Sequence, residues 1–162
     1  MRKLSQAICL KPAEALIGEH PQTIYTILGS CVCVIMHSPR LKITGITHAL
    51  MPSIGQASTT TPLKYADGCV RFLHDAFRSR GVKPHELTVS VFGGSRMANQ
   101  PRRHAWISVG ELNVEVTLTL LRELGYPISH QETGGINGRK VFINCASGEV
   151  LLKRLPTLPE CL

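Results

Sequence analysis

The sequence predicts an α+β fold: a single domain of mixed, largely antiparallel sheet with two main helices packed on it. Three observations predict it. Apolar, β-branched segments of strand length outnumber the helical ones. Only two stretches, 61–80 and 108–124, repeat their apolar residues at helical spacing. Short turns join most strand segments, so much of the pairing must be antiparallel, and the helices must then pack on sheet.

Residues 1–20 carry few regular signals and read as an N-terminal arm or first segment. Residues 21–155 read as the domain proper. Residues 156–162, with Pro156 and Pro159, read as a frayed tail. From Thr23 to Met36 the chain is apolar and β-branched, broken by Gly29-Ser30-Cys31, which predicts two strands or one bent strand. Ser38-Pro39-Arg40 is a turn, Lys42 to Leu50 a strand, and Pro52 to Thr61 a loop. Thr61 and Pro62 have the residue types of an N-cap and a first helical position. Leu63, Ala66, Val70, Leu73 and Phe77 follow as one helix face that Gly81 ends. Leu87 to Phe92 is a short strand running into Gly93-Gly94-Ser95 and a long loop through Trp106. Ser108 and Glu111 have capping-box spacing, and Leu112, Val116, Leu120 and Leu124 supply a stripe that Gly125 stops. Ile128 to Gln131, Lys140 to Cys145 and Glu149 to Arg154 complete the strands, the last two as a hairpin around Ser147-Gly148.

Composition excludes several classes. At 43% apolar, the chain of 162 residues has the material for a packed core and is not disordered. No window of 18 apolar residues exists, so no membrane insertion is expected. Lys11, Pro12 and Glu14 interrupt the first apolar stretch, so no signal peptide is expected and a cytoplasmic location is the default. The net charge of +7 favours acidic partners. Aromatics at 5% and the lack of any run of five basic residues speak against nucleic acid as that partner. The six cysteines form no C-x-x-C pair and read as reduced thiols. The histidines at 20, 37, 74, 85, 104 and 130 show no ligand spacing, so no metal is expected. Gly93-Gly94-Ser95 lacks the Gly-Lys-Ser/Thr of a phosphate loop and reads as a turn lining a cleft above Cys31.

The chemistry is expected at the strand break. A cysteine directly after Gly29-Ser30 sits at a sharp bend, where Gly29 can take dihedrals closed to other residues. Such a bend lifts a thiol out of the sheet and aims backbone N–H groups at one place, as an oxyanion requires. The thiol needs a base, and His48, in the apolar segment after the next turn, is the best placed. A third group should orient the imidazole. Cys33, two residues on, shares the face of Cys31 in a regular strand and reads as a small packing residue.

Leu28-Gly29-Ser30-Cys31-Val32 followed by Gly45-Ile46-Thr47-His48-Ala49-Leu50-Met51-Pro52 resembles the CheD family of bacterial chemotaxis. The likeness continues in Lys64-Tyr65-Ala66-Asp67, Phe92-Gly93-Gly94-Ser95, Gly110-x-x-Asn113, Thr133-Gly134-Gly135, Gly138-Arg139-Lys140-Val141, Ser147-Gly148 and Lys153-Arg154-Leu155. These blocks keep their order over residues 23–155. The resemblance implies a single-domain layered α/β sandwich like that of toxin-type cysteine deamidases and an enzyme that converts glutamines of methyl-accepting chemotaxis receptors to glutamate, releasing ammonia, without cofactor. It implies Cys31 as nucleophile, His48 as base and a threonine before the cysteine as third member. Tyr25 stands where some members carry that threonine, so Thr26 is expected, with Thr23 the weaker choice. Gly29, Ser30, Gly93, Gly94 and Ser95 are expected to line the substrate. Ser38 and Ala98 replace an acidic and an aromatic residue usual in the family, a departure that bears on partner contacts. Some members bind a CheC-type phosphatase, and the alternative reading is a non-catalytic regulator acting on such a phosphatase or on receptors. The basic residues Arg96, Arg102, Arg103 and His104 are expected to steer an acidic receptor helix.

Overall fold

The structure, a computed structural model, describes residues 7–55, 59–96 and 107–156. Arg102, Arg103 and His104 lie outside the described residues. The strands are β1 (Ile8–Cys9), β2 (Ala15–Glu19), β3 (Thr23–Leu28), β4 (Val32–Ser38), β5 (Ile43–Thr47), β6 (Thr88–Gly93), β7 (His130–Thr133), β8 (Arg139–Asn144) and β9 (Val150–Arg154). The helices are α1 (Ala66–Arg78) and α2 (Val109–Glu123).

Two sheets form, a four-stranded one in the order β1-β3-β8-β9 and a five-stranded one in the order β2-β5-β4-β6-β7. The β1–β3 and β6–β7 pairs are parallel and the rest antiparallel. The α+β expectation of a mixed, largely antiparallel sandwich with two main helices therefore holds. Strand alternation makes the layers. Along β4, Val32, Val34 and Met36 pack with Leu73 and Phe77 of α1 and Leu121 of α2. Cys33 and Ile35 point the other way and pack with Ile24 and Leu28 of β3 and Val141 and Ile143 of β8. The order is thus helices, five-stranded sheet, four-stranded sheet. β4 is buried throughout because it lies between both cores. Each fully buried Leu, Ile or Phe there contributes about 1.5–3 kcal/mol.

Four details depart from the sequence reading. Residues 62–64 form a separate 3₁₀ turn, and the α-helix starts at Ala66. Tyr65 is extended because it bridges to Met51, and the Ala66 N–H donates to the Met51 carbonyl at 2.8 Å. The buried face of α2 is Gly110, Asn113, Thr117, Leu120 and Leu121, rotated from the expected Leu112–Val116 stripe. The expected capping box is present, with the Glu111 N–H donating to Ser108 Oγ at 3.1 Å. The first segment forms two strands, β2 pairing along its whole length with β5. Gly29 is not among the glycines with positive φ; the left-handed residues beside Cys31 are Gly93 and Gly94 (φ 108° and 69°) on the adjoining strand end.

Helix α2 begins hard against that glycine pair. A Cβ at Gly110 would lie 2.4 Å from the Ser95 carbonyl oxygen and 2.6 Å from that of Gly94. Both are backbone atoms, so they cannot rotate aside. Gly110→Ala should cost about 1–3 kcal/mol. Urea unfolding checks this as a lower midpoint at unchanged slope; an unchanged midpoint would contradict the close packing.

Candidate active site

Between β3 and β4 the chain crosses from the four-stranded to the five-stranded sheet. Leu28 and Val32, both buried, anchor the two ends of the crossing. Within it, three successive carbonyls are captured from outside. The Ser95 N–H donates to Gly29 O at 2.9 Å, Asn113 Nδ2 to Ser30 O at 2.9 Å, and the Gly94 N–H to Cys31 O at 2.8 Å. The N–H groups of Ser30 and Cys31 donate to no backbone carbonyl among the described residues. A Cβ on Gly93 would fall 2.2 Å from the Cys31 oxygen, so only glycine permits this approach.

His48 follows β5 and belongs to the layer between the sheets. The register Ile35↔Ile46 and the bridge Val32↔Ala49 set Cys33 across from His48. Cys31 lies two residues earlier and packs against the same inter-sheet core. Thr26 reaches His48 from the opposite sheet. It faces inward with Ile24 and Leu28, whereas Tyr25 alternates outward against Phe142. Thr26 Oγ1 stands 2.6 Å from His48 Nδ1 and 2.8 Å from the Leu10 carbonyl oxygen. A hydroxyl has one proton, and the carbonyl can only accept. Thr26 therefore donates to Leu10 and accepts from Nδ1–H, which places the imidazole proton on Nδ1. Nε2 is left as a buried acceptor without a partner among the described residues. The first segment closes this arrangement: Leu10 supplies the carbonyl, the Ala13 N–H donates to His48 O at 2.8 Å, and the His48 N–H donates to Glu14 O at 3.2 Å.

Burial sets the charge state. It pushes the Cys31 thiol up to about 11, partly offset by the residue's own backbone N–H, and pushes His48 down to about 4. The resting pair is thus a neutral thiol and a neutral imidazole. Cys33 is fully buried and raised further by desolvation, so it is the poorer nucleophile.

The depressed His48 has a consequence for stability. An unfolded histidine takes its proton near 6.5, but the native one refuses it until about 4. Between those values the unfolded state binds more protons, so stability falls as pH drops from 6.5 towards 4 and is unaffected above 6.5. At pH 5 the loss is about 2 kcal/mol. Denaturant titrations at pH 7.5 and pH 5 should show this difference shrinking by about that amount in His48→Gln. His37, also lowered by burial, acts in the same direction and is retained in both proteins. An equal pH dependence in the two would contradict a buried neutral His48.

The remaining expected residues are placed as follows. Gly93 and Gly94 back the Cys31 carbonyl. Ser95 is buried and its hydroxyl is engaged, donating to Asn137 O at 2.6 Å and accepting from Arg139 at 2.8 Å. It holds the glycine loop after β7, and its hydroxyl is not a free donor. Arg96 pairs with Glu111 in the first turn of α2. Thr23, at the far end of β3, pairs with Asn144. No three His, Cys, Asp or Glu side chains are grouped as metal ligands among the described residues.

Sequence reasoning assigned no role to two buried polar residues. Arg139 donates to Gly93 O at 3.2 Å, Gly134 O at 2.8 Å and Ser95 Oγ, pinning both glycine pairs. Asn113 ties the Gly29-Ser30-Cys31 turn to α2. The signal for each was a polar residue at a position whose neighbours predict burial, beside a glycine in the first case and on a helix face in the second.

Fold and site together define a class: an α+β sandwich that gathers a thiol, an imidazole and a threonine hydroxyl in the layer between its two sheets. The chain belongs to the CheD family. The family described as CheD chemotactic sensory transduction matches residues 50–154. The chain is 36% identical to the "Probable chemoreceptor glutamine deamidase CheD" of Nitratidesulfovibrio vulgaris, over 94% of this chain and 81% of that one. It is 35% identical to the "Probable chemoreceptor glutamine deamidase CheD 2" of Geobacter sulfurreducens, over 91% and 89% of the two chains. Among solved structures it is similar to the hypothetical protein YfiH of Bacillus licheniformis, with a TM-score of 0.45 and 17% identity over 75% of this chain and 49% of that one.

Proposed function

We propose that this chain is a cytoplasmic protein-glutamine deamidase that converts glutamines of methyl-accepting chemotaxis receptors to glutamate, with Cys31 as nucleophile, His48 as base and Thr26 as its orienter. The names of the relatives support the reaction and the substrate. The observation that carries the residue assignment is the Leu10–Thr26–His48 chain of hydrogen bonds, which leaves Nε2 unprotonated and without a partner among the described residues, in the layer that holds Cys31.

The chemistry follows from the neutral resting pair. As Cys31 Sγ attacks the amide carbon, its proton passes to His48 Nε2 and the carbonyl oxygen takes the negative charge. The Ser30 and Cys31 N–H groups, which donate to no backbone carbonyl among the described residues, stabilise that oxyanion. The imidazolium then protonates the amide nitrogen, the C–N bond breaks, and ammonia leaves a thioester. His48 next takes a proton from water, hydroxide adds to the thioester carbon, and the thiol departs with its proton restored. Thr26 keeps Nδ1–H satisfied throughout and stabilises the imidazolium. Gly29, Ser30, Gly93 and Gly94 supply backbone, not side chain, to the wall of the cleft. Mass spectrometry of a receptor cytoplasmic domain tests the function, since each deamidated glutamine gains about 1 Da when NH₂ becomes OH. Binding without any mass change would favour the regulatory reading, in which the chain acts on receptors or on a CheC-type phosphatase.

A further inference from the structure

We infer that Asn113 is the positioning residue that shapes the oxyanion side of this site, by holding the Ser30 carbonyl so that the Cys31 N–H is presented beside the nucleophilic sulfur. The inference rests on the deamidase reading and names the residue that sets its nucleophile turn. Asn113 is fully buried on α2. Its Nδ2 donates to Ser30 O at 2.9 Å and to Leu50 O at 3.2 Å, using both amide protons. Two facing carbonyls admit only this orientation of the amide, because the flipped one would set oxygen against oxygen. One side chain thereby ties the nucleophile turn to the end of the segment that carries His48.

The peptide bond transmits the effect. Ser30 O and the Cys31 N–H belong to one planar trans unit and point in opposite directions. Fixing the oxygen on α2 aims the N–H away from α2. The sulfur is carried on the same residue, three bonds from this nitrogen, so the donor stands beside the nucleophile. The same N–H donates to no backbone carbonyl among the described residues. A tetrahedral intermediate on Sγ would put its oxyanion next to this donor. The neighbouring carbonyls of Gly29 and Cys31 are held by backbone N–H groups, so Asn113 is the one side-chain donor of the three. Its Oδ1 is buried without a partner among the described residues, and the next buried turn carries Thr117 where the stripe pattern would place an apolar residue. A polar helix face that breaks the packing pattern is expected where function, not stability, selects the residue.

The test compares full-length wild type, Asn113→Ala and Asn113→Asp on a receptor cytoplasmic domain by ammonia release, together with alkylation of Cys31 by iodoacetamide. Alkylation builds no oxyanion, so it separates the turn's donor from the thiol's reactivity. Asn113→Ala should lower kcat about 30-fold or more with KM within about threefold, while Cys31 alkylates within about threefold of wild type. Unlabelled Cys33, Cys69 and Cys145 would report an intact fold. Asn113→Asp should lose as much at pH 8, where its carboxylate cannot donate. It should regain part of that loss relative to wild type by pH 5.5, where a carboxyl facing two carbonyl oxygens is protonated and donates again. The ratio to wild type removes the titration of Cys31 and His48, which both proteins share. Unchanged kcat in Asn113→Ala, alkylation falling in step with deamidation, or no recovery of Asn113→Asp would each overturn the inference. A wild type that releases no ammonia would overturn the deamidase reading with it.

Discussion

Cys31→Ala should abolish ammonia release from a receptor cytoplasmic domain, by about 10³-fold or more, while Cys33→Ala stays within a few-fold of wild type. The contrast is informative because both sulfurs belong to the same layer and Cys33 is the one set directly across from His48. Of these two sulfurs, Cys31 is the partly exposed one, beside an N–H that donates to no backbone carbonyl among the described residues and a carbonyl that Gly93 and Gly94 approach closely. Cys33 is sealed between Ile24, Ile35 and their neighbours, where no glutamine side chain can enter. Its loss should show instead in stability, as a small cavity. Residual activity of Cys31→Ala with loss in Cys33→Ala would exchange the two roles.

His48→Ala should cost a comparable factor, about 10³-fold in kcat, because a thiol near 11 cannot ionise by itself at neutral pH. Thr26 gives the graded version of the same experiment. Thr26→Val keeps the shape but leaves Nδ1–H facing a methyl group in a buried site, which costs about 1–3 kcal/mol and favours the tautomer with the proton on Nε2. That tautomer cannot accept the thiol proton, so kcat should fall about 10- to 100-fold. Thr26→Ser keeps the hydroxyl and should remain near wild type. Steady-state ammonia release read at pH 7.5 checks all three, and equal rates for Val and Ser at 26 would remove Thr26 from the mechanism.

The parts of this account that sequence made legible are local ones. Gly29-Ser30-Cys31 interrupting a β-branched run marks the crossing between strands, and a lone His48 in an apolar segment marks the proposed base. Thr26 is legible by residue type alone, since its one-residue offset from the threonine position usual in the family would by alternation turn it to the other face; in the structure it is buried. What sequence pattern does not carry is the relation between sheets. Nothing in residues 1–20 signals that a two-residue strand places the Leu10 carbonyl against Thr26, because Lys11, Pro12 and Glu14 break the pattern there. The rotation of α2 escapes the apolar pattern for a physical reason. Its apolar residues suggest one buried face, but Asn113 and Thr117 occupy the buried side, where polar contacts to the nucleophile turn and to the helix backbone displace packing. The 3₁₀ turn before α1 was likewise hidden, since Thr61-Pro62 is a sound helix start and only the bridge from Tyr65 to Met51 delays it.

With Cys31 as the proposed nucleophile, the reaction passes through a thioester on that residue. Acid quenching of the protein during turnover of a short glutamine-containing peptide, followed by intact mass measurement, tests it most directly. The account predicts a fraction of protein heavier by the peptide mass less one ammonia, about 17 Da, located at Cys31 by digestion and absent from Cys31→Ala. The adduct should be discharged by hydroxylamine, as thioesters are. Undiminished turnover by a protein that carries no adduct, or by one in which Cys31 has been replaced, would contradict it.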